Sequence, residues 1–293
     1  MEFIPAKNIV TRTKGNGWFG TDYNMNIYKG CCHGCIYCDS RSECYRIEDF
    51  DRVRAKENAL EIIRDNLSRK VKKGVIGTGA MSDPYNPFEK ELQLTQQALA
   101  IIKAYGFGVA IATKSPLITR DIDILKEIQK RSPIIVKMTI TTADDDLGKI
   151  IEPHAAVSSE RFRAIKELSD NGIYCGILLM PILPFINDTK ENILEIVRLG
   201  KENGANFIYP AFGVTLRDKQ RDYFYDQLDA HFPNIKKKYM LEFGNQYSCG
   251  SPKAKTLYAS FTKECNRLSM LYRMSDIVSS YKLNHGNTQL SFI

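Results

Sequence analysis

The chain has 293 residues, 43% hydrophobic and 26% charged, a balance that excludes a disordered or fibrous polypeptide and fits one large folded domain or a domain with an appendage. The longest apolar runs, such as Cys175 to Phe185, are broken by Gly and Pro and fall short of the ~20 residues a membrane helix needs. The start, Met1-Glu2-Phe3-Ile4-Pro5, has no basic stretch leading into an apolar one, so no secretion signal is expected and the chain is expected to be cytoplasmic, with no membrane partner.

In chain order, residues 1–20 read as irregular, with turn chemistry at Lys14-Gly15-Asn16-Gly17. Asp22 to Tyr28 alternates as a strand that Lys29-Gly30 ends. Arg54 to Leu67 carries Ala55, Ala59, Ile62, Ile63 and Leu67 at helical spacing. A short buried strand is expected from Gly74 to Gly79, a helix from Glu91 to Tyr105 and a strand from Gly108 to Thr113. Then follow a helix from Asp121 to Gln129 capped by Thr119 or Asp121, and a strand from Ile134 to Thr141. The next helix runs from Ser158 or Ser159 as cap to Asp170, with Asn171-Gly172 as its stop. A strand from Ile173 to Met180, a helix from Thr189 to Asn203 capped near Asp188 and ended by Gly204, and a strand from Asn206 to Phe212 complete the series.

Six strand–helix alternations predict parallel strands joined by crossover helices. The fold class is therefore α/β, a partial (β/α)6 barrel related to the TIM barrel, with an open doubly wound sheet as the alternative. The core is expected over 1–213, and the more basic, helical stretch over 214–293 as an appendage across one mouth.

Five of the eight cysteines cluster between Cys31 and Cys44, which in a chain without a secretion signal reads as metal ligands in a reducing compartment. Cys31, Cys35 and Cys38 are spaced C-x3-C-x2-C, so one loop can bring three thiolates to three irons of a cubane cluster and leave the fourth iron open to a ligand. Cys32, Cys35 and Cys38 form the competing set C-x2-C-x2-C, with Cys44 as a fourth zinc ligand, but no second knuckle follows. A closed structural or redox cluster is the third reading.

The triplet, with Tyr37 before its last cysteine and a strand before its first, resembles the radical S-adenosylmethionine (SAM) superfamily. That resemblance implies a [4Fe–4S] cluster whose open iron chelates SAM. One electron from an external flavodoxin- or ferredoxin-type donor then yields methionine and a 5′-deoxyadenosyl radical, which takes a hydrogen atom from substrate. His33-Gly34-Cys35-Ile36-Tyr37-Cys38, Gly79-Ala80-Met81-Ser82-Asp83-Pro84-Tyr85 and Ala112-Thr113-Lys114-Ser115 together resemble the spore photoproduct lyase branch, over the chain to about Phe212. By that resemblance Ser82 and Lys114 contact SAM. Lys114 ends a strand, where it can pair with the SAM carboxylate. Thr139 or Thr141 is placed near the ribose, and Arg161 near the carboxylate. The alternatives are strand filling for the threonines and an exposed helical position for Arg161.

The branch carries a hydrogen-donating cysteine where this chain has Ala80. Cys249, in the segment Tyr247-Ser248-Cys249-Gly250 expected to be irregular, is the candidate replacement, and Cys175 reads as core. Pro181-Ile182-Leu183-Pro184 with Asn187-Asp188 reads as a substrate-facing loop or as a strand stop and helix cap. The net charge is +7, and from Val214 onward there are 12 Lys+Arg against 7 Asp+Glu. DNA or RNA is therefore a candidate partner, with Arg217, Lys219, Arg221 and Lys236-Lys237-Lys238 on phosphates and Tyr223, Phe224, Tyr225 and Tyr239 on bases. The alternative is a charged helix face over an aromatic core. The final Gln289-Leu290-Ser291-Phe292-Ile293 resembles the peptide by which bacterial repair proteins bind the sliding clamp, against the alternative of a tail packed on its own domain.

Overall fold

A computed structural model describes residues 1–14 and 18–285. The chain opens with β1 (Glu2–Ile4), β2 (Val10–Arg12), β3 (Tyr23–Met25), β4 (Tyr28–Lys29) and β5 (Arg54–Lys56), and the βα series then begins with α1 (Ala59–Ser68). It continues through β6 (Val75–Thr78), α2 (Glu89–Leu92), α3 (Leu94–Ala104), β7 (Gly108–Thr113), α4 (Ile122–Gln129) and β8 (Ile134–Thr139). After α5 (Asp145–Ile151) and α6 (Ser158–Asp170) come β9 (Cys175–Leu179), α7 (Lys190–Glu202) and β10 (Phe207–Pro210). The last part holds β11 (Gly213–Thr215), α8 (Asp218–His231), α9 (Ile235–Phe243), β12 (Ser248–Gly250), α10 (Ala254–Arg267) and α11 (Met274–Lys282).

The main sheet has the order β10-β9-β8-β7-β6-β3-β2. Its pairings from β3 to β10 are all parallel, and β2 joins antiparallel at one edge. Six parallel strands in chain order are the expected partial barrel. Strand alternation sorts its residues. Ile134, Val136 and Met138 of β8 pack with the helices in one apolar cluster, whereas Ile135 joins Val75, Ala110, Ala112, Leu178 and Phe207 in a second cluster that fills the lumen. Phe19, from the β2–β3 connection, and Ile277 and Tyr281, from α11, complete that lumen cluster, and the Tyr281 hydroxyl donates to the Phe19 carbonyl at 2.7 Å.

Several boundaries differ from the sequence expectation. The expected strand 22–28 is two strands in different sheets, because β4 leaves the barrel to pair with β5. Arg54–Lys56, read as the start of a helix, is that partner strand, with β1 on its other side. The expected helix 91–105 starts earlier and is broken at Gln93, which has φ +51°. The cap of α6 is Val157, whose N–H donates to Glu160 Oε2 at 3.2 Å, rather than Ser158 or Ser159. The cap of α7 is Thr189, whose hydroxyl accepts the Asn192 N–H at 3.1 Å.

The stretch 214–285 packs in three places. Val214, Leu216, Phe224, Leu228, Tyr239 and Phe243 share an apolar cluster with Cys35, Ile36 and Tyr37 at the cysteine loop. Leu257, Phe261 and Cys265 of α10 join the main core outside the sheet. Helix α11 closes the lumen. The tail 289–293 lies outside the described residues. Among those residues, no helix is long and apolar enough to cross a membrane.

Candidate active site

The cysteine loop leaves the end of β4 and is fixed by backbone hydrogen bonds from distant segments. The Cys31 N–H donates to the Phe50 carbonyl at 2.8 Å, Ile36 N–H to the Ile151 carbonyl at 3.0 Å, and His154 N–H to the His33 carbonyl at 3.0 Å. Gly34 turns the loop with φ +67°. Cys31, Cys35 and Cys38 line one cleft together with His33, Ser82, Asp83, Lys114 and Thr139, and that cleft has a volume of ≈ 90 Å³. That exceeds the ~10–15 Å³ one water needs, so the space between the thiols and the strand ends is larger than a single-water site.

Cys32 instead packs against the main core, and Cys44 is exposed outside the cleft. Of the two sets, the C-x3-C-x2-C one lines the cleft in full. Among the described residues no three His, Cys, Asp or Glu side chains converge on a point that one ion could occupy. Burial, with lesser contributions from neighbouring anions, pushes the Cys31 and Cys35 thiols up to about 12 and Cys38 up to about 11. The free loop therefore holds thiols at neutral pH, and metal binding must displace their protons.

The second wall is the loop after β6. Gly79 has φ +90°, and a Cβ there would lie 1.8 Å from the Ala112 carbonyl oxygen, so only glycine lets the loop cross the end of β7. Three residues on, the Ser82 hydroxyl donates to the Gly30 carbonyl at 2.5 Å and ties this wall to the start of the cysteine loop. Asp83 ties it to β7: its carboxylate accepts from the Thr113 hydroxyl at 2.7 Å, the Lys114 N–H at 2.8 Å and the Tyr85 N–H at 2.9 Å. His33 Nδ1 lies 3.7 Å from the same carboxylate, yet burial outweighs that anion and holds the imidazole below its ordinary value.

Lys114 ends β7 half-buried, with Nζ 5.7 Å from the Tyr37 ring centroid. Burial acts against its charge, but Cys35, once ionised, and Glu152 outweigh burial and raise it above the ordinary lysine value. The cleft thus holds a cation beside three thiols. Thr139, at the end of β8, lines the cleft as expected, whereas Thr141 does not. The Thr141 carbonyl accepts from Asn187 Nδ2 at 2.8 Å and Asn192 Nδ2 at 3.1 Å.

Arg161 is corrected on both counts. It is buried rather than exposed, and its guanidinium is committed within the protein. Nε donates to the Ala156 carbonyl at 2.7 Å, Nη1 to the Thr139 carbonyl at 2.9 Å, and Nη2 pairs with Glu152 Oε2 at 2.5 Å. The Tyr37 hydroxyl also donates to Glu152. Arg161 does not line the cleft; it holds the end of β8 and the cysteine loop in register through Glu152. Sequence reasoning missed Glu152, because a single Glu in Ile151-Glu152-Pro153-His154 carries no periodic or spacing signal.

Cys249 is not in an irregular segment. It sits in β12, opposite Val214 of β11, fully buried, with its thiol 3.6 Å from the Gln246 carbonyl. It shares an apolar cluster with Cys35 but does not line the cleft, so the structure does not bring it to the candidate site. Cys175 is core, as expected, on the helix-packed face of β9. The Pro181–Asp188 segment serves as stop and brace. Asp188 is buried, accepting from the Phe185 N–H at 2.9 Å and the Ser251 hydroxyl at 2.6 Å.

The C-terminal cations are largely used internally. Arg217 pairs with Asp39 at 2.8 Å, Lys219 with Glu43 at 3.0 Å, and Lys236 with Asp229 at 2.5 Å. Arg221 donates to the carbonyls of Leu216 at 2.8 Å, Gly244 at 2.9 Å and Gln246 at 2.6 Å. Phe224 and Tyr239 are buried in the cluster below, and Arg41 stacks on the Tyr223 ring at 3.8 Å. These aromatics are core and internal stacking partners rather than a free platform for bases.

The family model described as the radical SAM superfamily matches residues 25–209. An uncharacterized protein of Methanocaldococcus jannaschii is 34% identical over 233 residues, covering 78% of this chain and 83% of that protein. An uncharacterized protein of Mycobacterium tuberculosis is 26% identical over 224 residues, covering 74% of this chain and 66% of that protein. Among solved structures, spore photoproduct lyase complexed with dinucleoside spore photoproduct superposes with a TM-score of 0.66 at 12% identity, covering 91% of this chain and 79% of that one.

Proposed function

The chain belongs to the radical SAM superfamily, whose members use a [4Fe–4S] cluster and SAM, and on that premise we propose that it abstracts a hydrogen atom from a nucleic-acid base. The observation that carries the radical SAM part is the cleft itself, where Cys31, Cys35 and Cys38, without Cys32, face Ser82, Lys114 and Thr139 across the ends of three barrel strands. The cluster and SAM, once bound, supply the reductive cleavage that makes a 5′-deoxyadenosyl radical.

The protein's part is to bind and orient. Cys31, Cys35 and Cys38 would hold three irons as thiolates and leave the fourth for SAM. Lys114 would pair with the SAM carboxylate. Ser82 would accept a hydrogen bond from the SAM amino group while its hydroxyl still donates to the Gly30 carbonyl, and Thr139 would border the ribose. An external donor of flavodoxin or ferredoxin type supplies the electron.

The base as substrate is supported by the fold shared with spore photoproduct lyase complexed with a dinucleoside, and Ala80 removes the thiol that branch uses. A second reading, a peptide or small-molecule substrate, is favoured by the internal use of Arg217, Lys219, Arg221 and the aromatics beside them.

The deciding assay quantifies 5′-deoxyadenosine from anaerobically reconstituted, reduced protein with SAM, against a variant with Cys31, Cys35 and Cys38 all changed to Ala. Release by the wild type alone supports the enzyme, and stimulation by DNA or RNA that falls steeply with salt supports the base. No release, and no spectroscopic change of the cluster when SAM is added, would end the SAM reading.

A further inference from the structure

The ends of the barrel strands opposite the cleft carry a surface that the proposed chemistry does not use. Asp22, Gly74, Gly108 and Pro133 stand at or just before the first residues of β3, β6, β7 and β8, and so mark the floor of the barrel. Three cavities run side by side along this floor. One of ≈ 540 Å³ lies between Arg12 and α11, one of ≈ 280 Å³ between Asp22 and Ser132, and one of ≈ 420 Å³ between the ends of α3 and α4. The first two share Asp22 and Lys282, and the last two share Arg131 and Ser132, so together they form one groove. It passes the ends of β2, β3, β6, β7 and β8, neighbours in the sheet, a path of roughly 19 Å at ~4.8 Å per strand spacing.

Arg12, Lys72, Lys73, Lys103, Arg131 and Lys282 line this groove, against Asp22 and Glu127. Glu127 pairs with Lys130 at 2.5 Å, and Asp22 Oδ2 accepts from the Val75 N–H at 2.9 Å. Among the described residues no carboxylate forms an ion pair with any of the six cations. Their internal partners are neutral: Lys282 Nζ donates to the Gly20 carbonyl at 2.5 Å, and Lys73 Nζ lies 4.7 Å from the Phe107 ring centroid. Burial and the facing Lys72 together hold Lys282 below its ordinary value, although Asp22 acts the other way. Helix C-termini attract cations, which accounts for Lys103 and Lys282 in the last turns of α3 and α11. Arg12 lies on β2, Lys72 and Lys73 lie between α1 and β6, and Arg131 lies between α4 and β8, so no helix end accounts for them. The cations Arg217, Lys219 and Lys236 of the C-terminal stretch, by contrast, each have a carboxylate partner.

We propose that this groove binds the phosphate backbone of a nucleic acid, as an anchoring surface separate from the cleft. Unpaired cations spaced along a recessed path match a chain of phosphates, and at ~3.4 Å per phosphate of one strand the path spans roughly five. A flat lipid surface would touch only the rims of such a groove. Among the described residues the only Phe, Tyr or Trp lining it is Phe107, which is fully buried, so the groove offers phosphate contacts and no ring for bases. Binding is therefore independent of base sequence. It needs neither substrate nor SAM in the cleft, and stands whether or not the reacting group is a base.

The test titrates a fluorescein-labelled single strand of about twenty nucleotides, of mixed sequence, with the cluster-loaded full chain without SAM, and reads anisotropy across a salt series. One variant combines Lys72→Gln, Lys73→Gln and Arg131→Gln, all exposed positions. The control combines Lys201→Gln, Lys255→Gln and Lys263→Gln, exposed on α7 and α10, and loses the same charge elsewhere. Equal urea midpoints show that all three proteins are folded. The groove variant should bind at least about tenfold more weakly and lose about two units of the slope of log K against log salt, at ~0.7 per phosphate contact, while the control stays within about twofold of the wild type. The proposal falls if the oligonucleotide does not bind, or if both variants weaken equally, which would make net charge the cause. It falls too if inorganic pyrophosphate displaces the oligonucleotide at equal phosphate concentration, since the groove would then be a site for a small anion. Phosphatidylserine vesicles that respond to the groove substitutions, with an oligonucleotide that does not, would overturn it in favour of a lipid surface. Failure to release 5′-deoxyadenosine, with this binding intact, strikes the catalytic reading alone.

Discussion

Glu152 Oε2 and Arg161 Nη2 are 2.5 Å apart, with both side chains 2% exposed. Arg161 also caps the Thr139 carbonyl, and Glu152 accepts from Tyr37 between two candidate ligands, so this one pair couples β8 to the cysteine loop. Breaking a buried pair by removing one charge costs more than the pair contributes, because the other charge is left without a partner. Glu152→Gln keeps an acceptor for Tyr37 but strands Arg161. The expected loss is about 3–5 kcal/mol in urea denaturation, together with lower iron content after reconstitution. Burial alone would raise the Glu152 carboxyl, but Arg161 and Lys114 outweigh it and hold it below its ordinary 4.5. Its contribution is therefore fully present above 4.5 and lost as pH falls through the depressed folded value. The wild-type advantage over Glu152→Gln should shrink in that acid window, and a constant gap would show that the pair is not the coupling.

The cleft distinguishes the cysteines. Changing Cys31, Cys35 or Cys38 singly to Ser should abolish the reconstituted cluster, whereas Cys32→Ala and Cys44→Ala should retain it, because Cys32 packs on the core and Cys44 is exposed. Iron and sulfide per chain, with the visible absorption of the cluster, check this. Loss in Cys32→Ala with retention in Cys31→Ser would restore the C-x2-C-x2-C reading.

What could be read from sequence follows the strength of local signals. Strand β7 is an apolar run between breakers and β8 is one interrupted at Lys137, and Gly172 and Gly204 end helices with φ +75° and +80°. The cysteine spacing survives translation because one loop sets it. The misses have physical causes. Ala55, Ala59 and Ile62 fit a helix, but Arg54–Lys56 is captured by strands on both sides, so tertiary pairing overrides local pattern. The antiparallel β11–β12 pair joins segments 33 or more residues apart, three residues in each strand, too short to alternate visibly. Arg161 sits on an amphipathic helix like any surface arginine, and only the distant Glu152 makes it internal.

Gly79 offers a contrast with Gly106, since both have positive φ, +90° and +69°, but nothing lies within 4 Å of a Cβ built at Gly106. Gly106→Ala should cost only the left-handed backbone, about 1–2 kcal/mol. Gly79→Ala must also push the end of β7 away, so its cost should exceed that of Gly106→Ala by at least about 2 kcal/mol, with loss of SAM binding. Equal denaturation midpoints would mean that the loop over Ala112 shifts freely.

Cys249 tests whether a buried thiol near the loop has chemistry. Burial raises it above its ordinary value, its thiol faces the Gln246 carbonyl, and its neighbours are apolar. Cys249→Ala should therefore lower stability by about 1–2 kcal/mol and leave SAM cleavage intact. Unchanged stability with a lost or altered substrate product would instead make Cys249 the hydrogen donor that Ala80 is not.

Lys137, buried in the middle of β8, makes a stability prediction of its own. Burial lowers its folded value from 10.5 to about 7, while the unfolded chain keeps the proton to near 10.5. Between those values the unfolded state binds more protons, so unfolding free energy rises with pH, by at most about 1.4 kcal/mol per pH unit for one group. The stabilising direction is toward high pH, and the full cost of burying the ammonium is felt below about 7. Lys137→Met removes that cost and cannot titrate. The variant should therefore be the more stable protein near pH 6, by an amount on the order of a few kcal/mol, and its lead should narrow steadily toward pH 9. Taking the difference between the two proteins at each pH cancels the titration of every other group. Urea midpoints at pH 6, 7.5 and 9 measure it. Parallel profiles would mean that Lys137 keeps its proton in the folded protein over this range, which requires water beside it in the lumen.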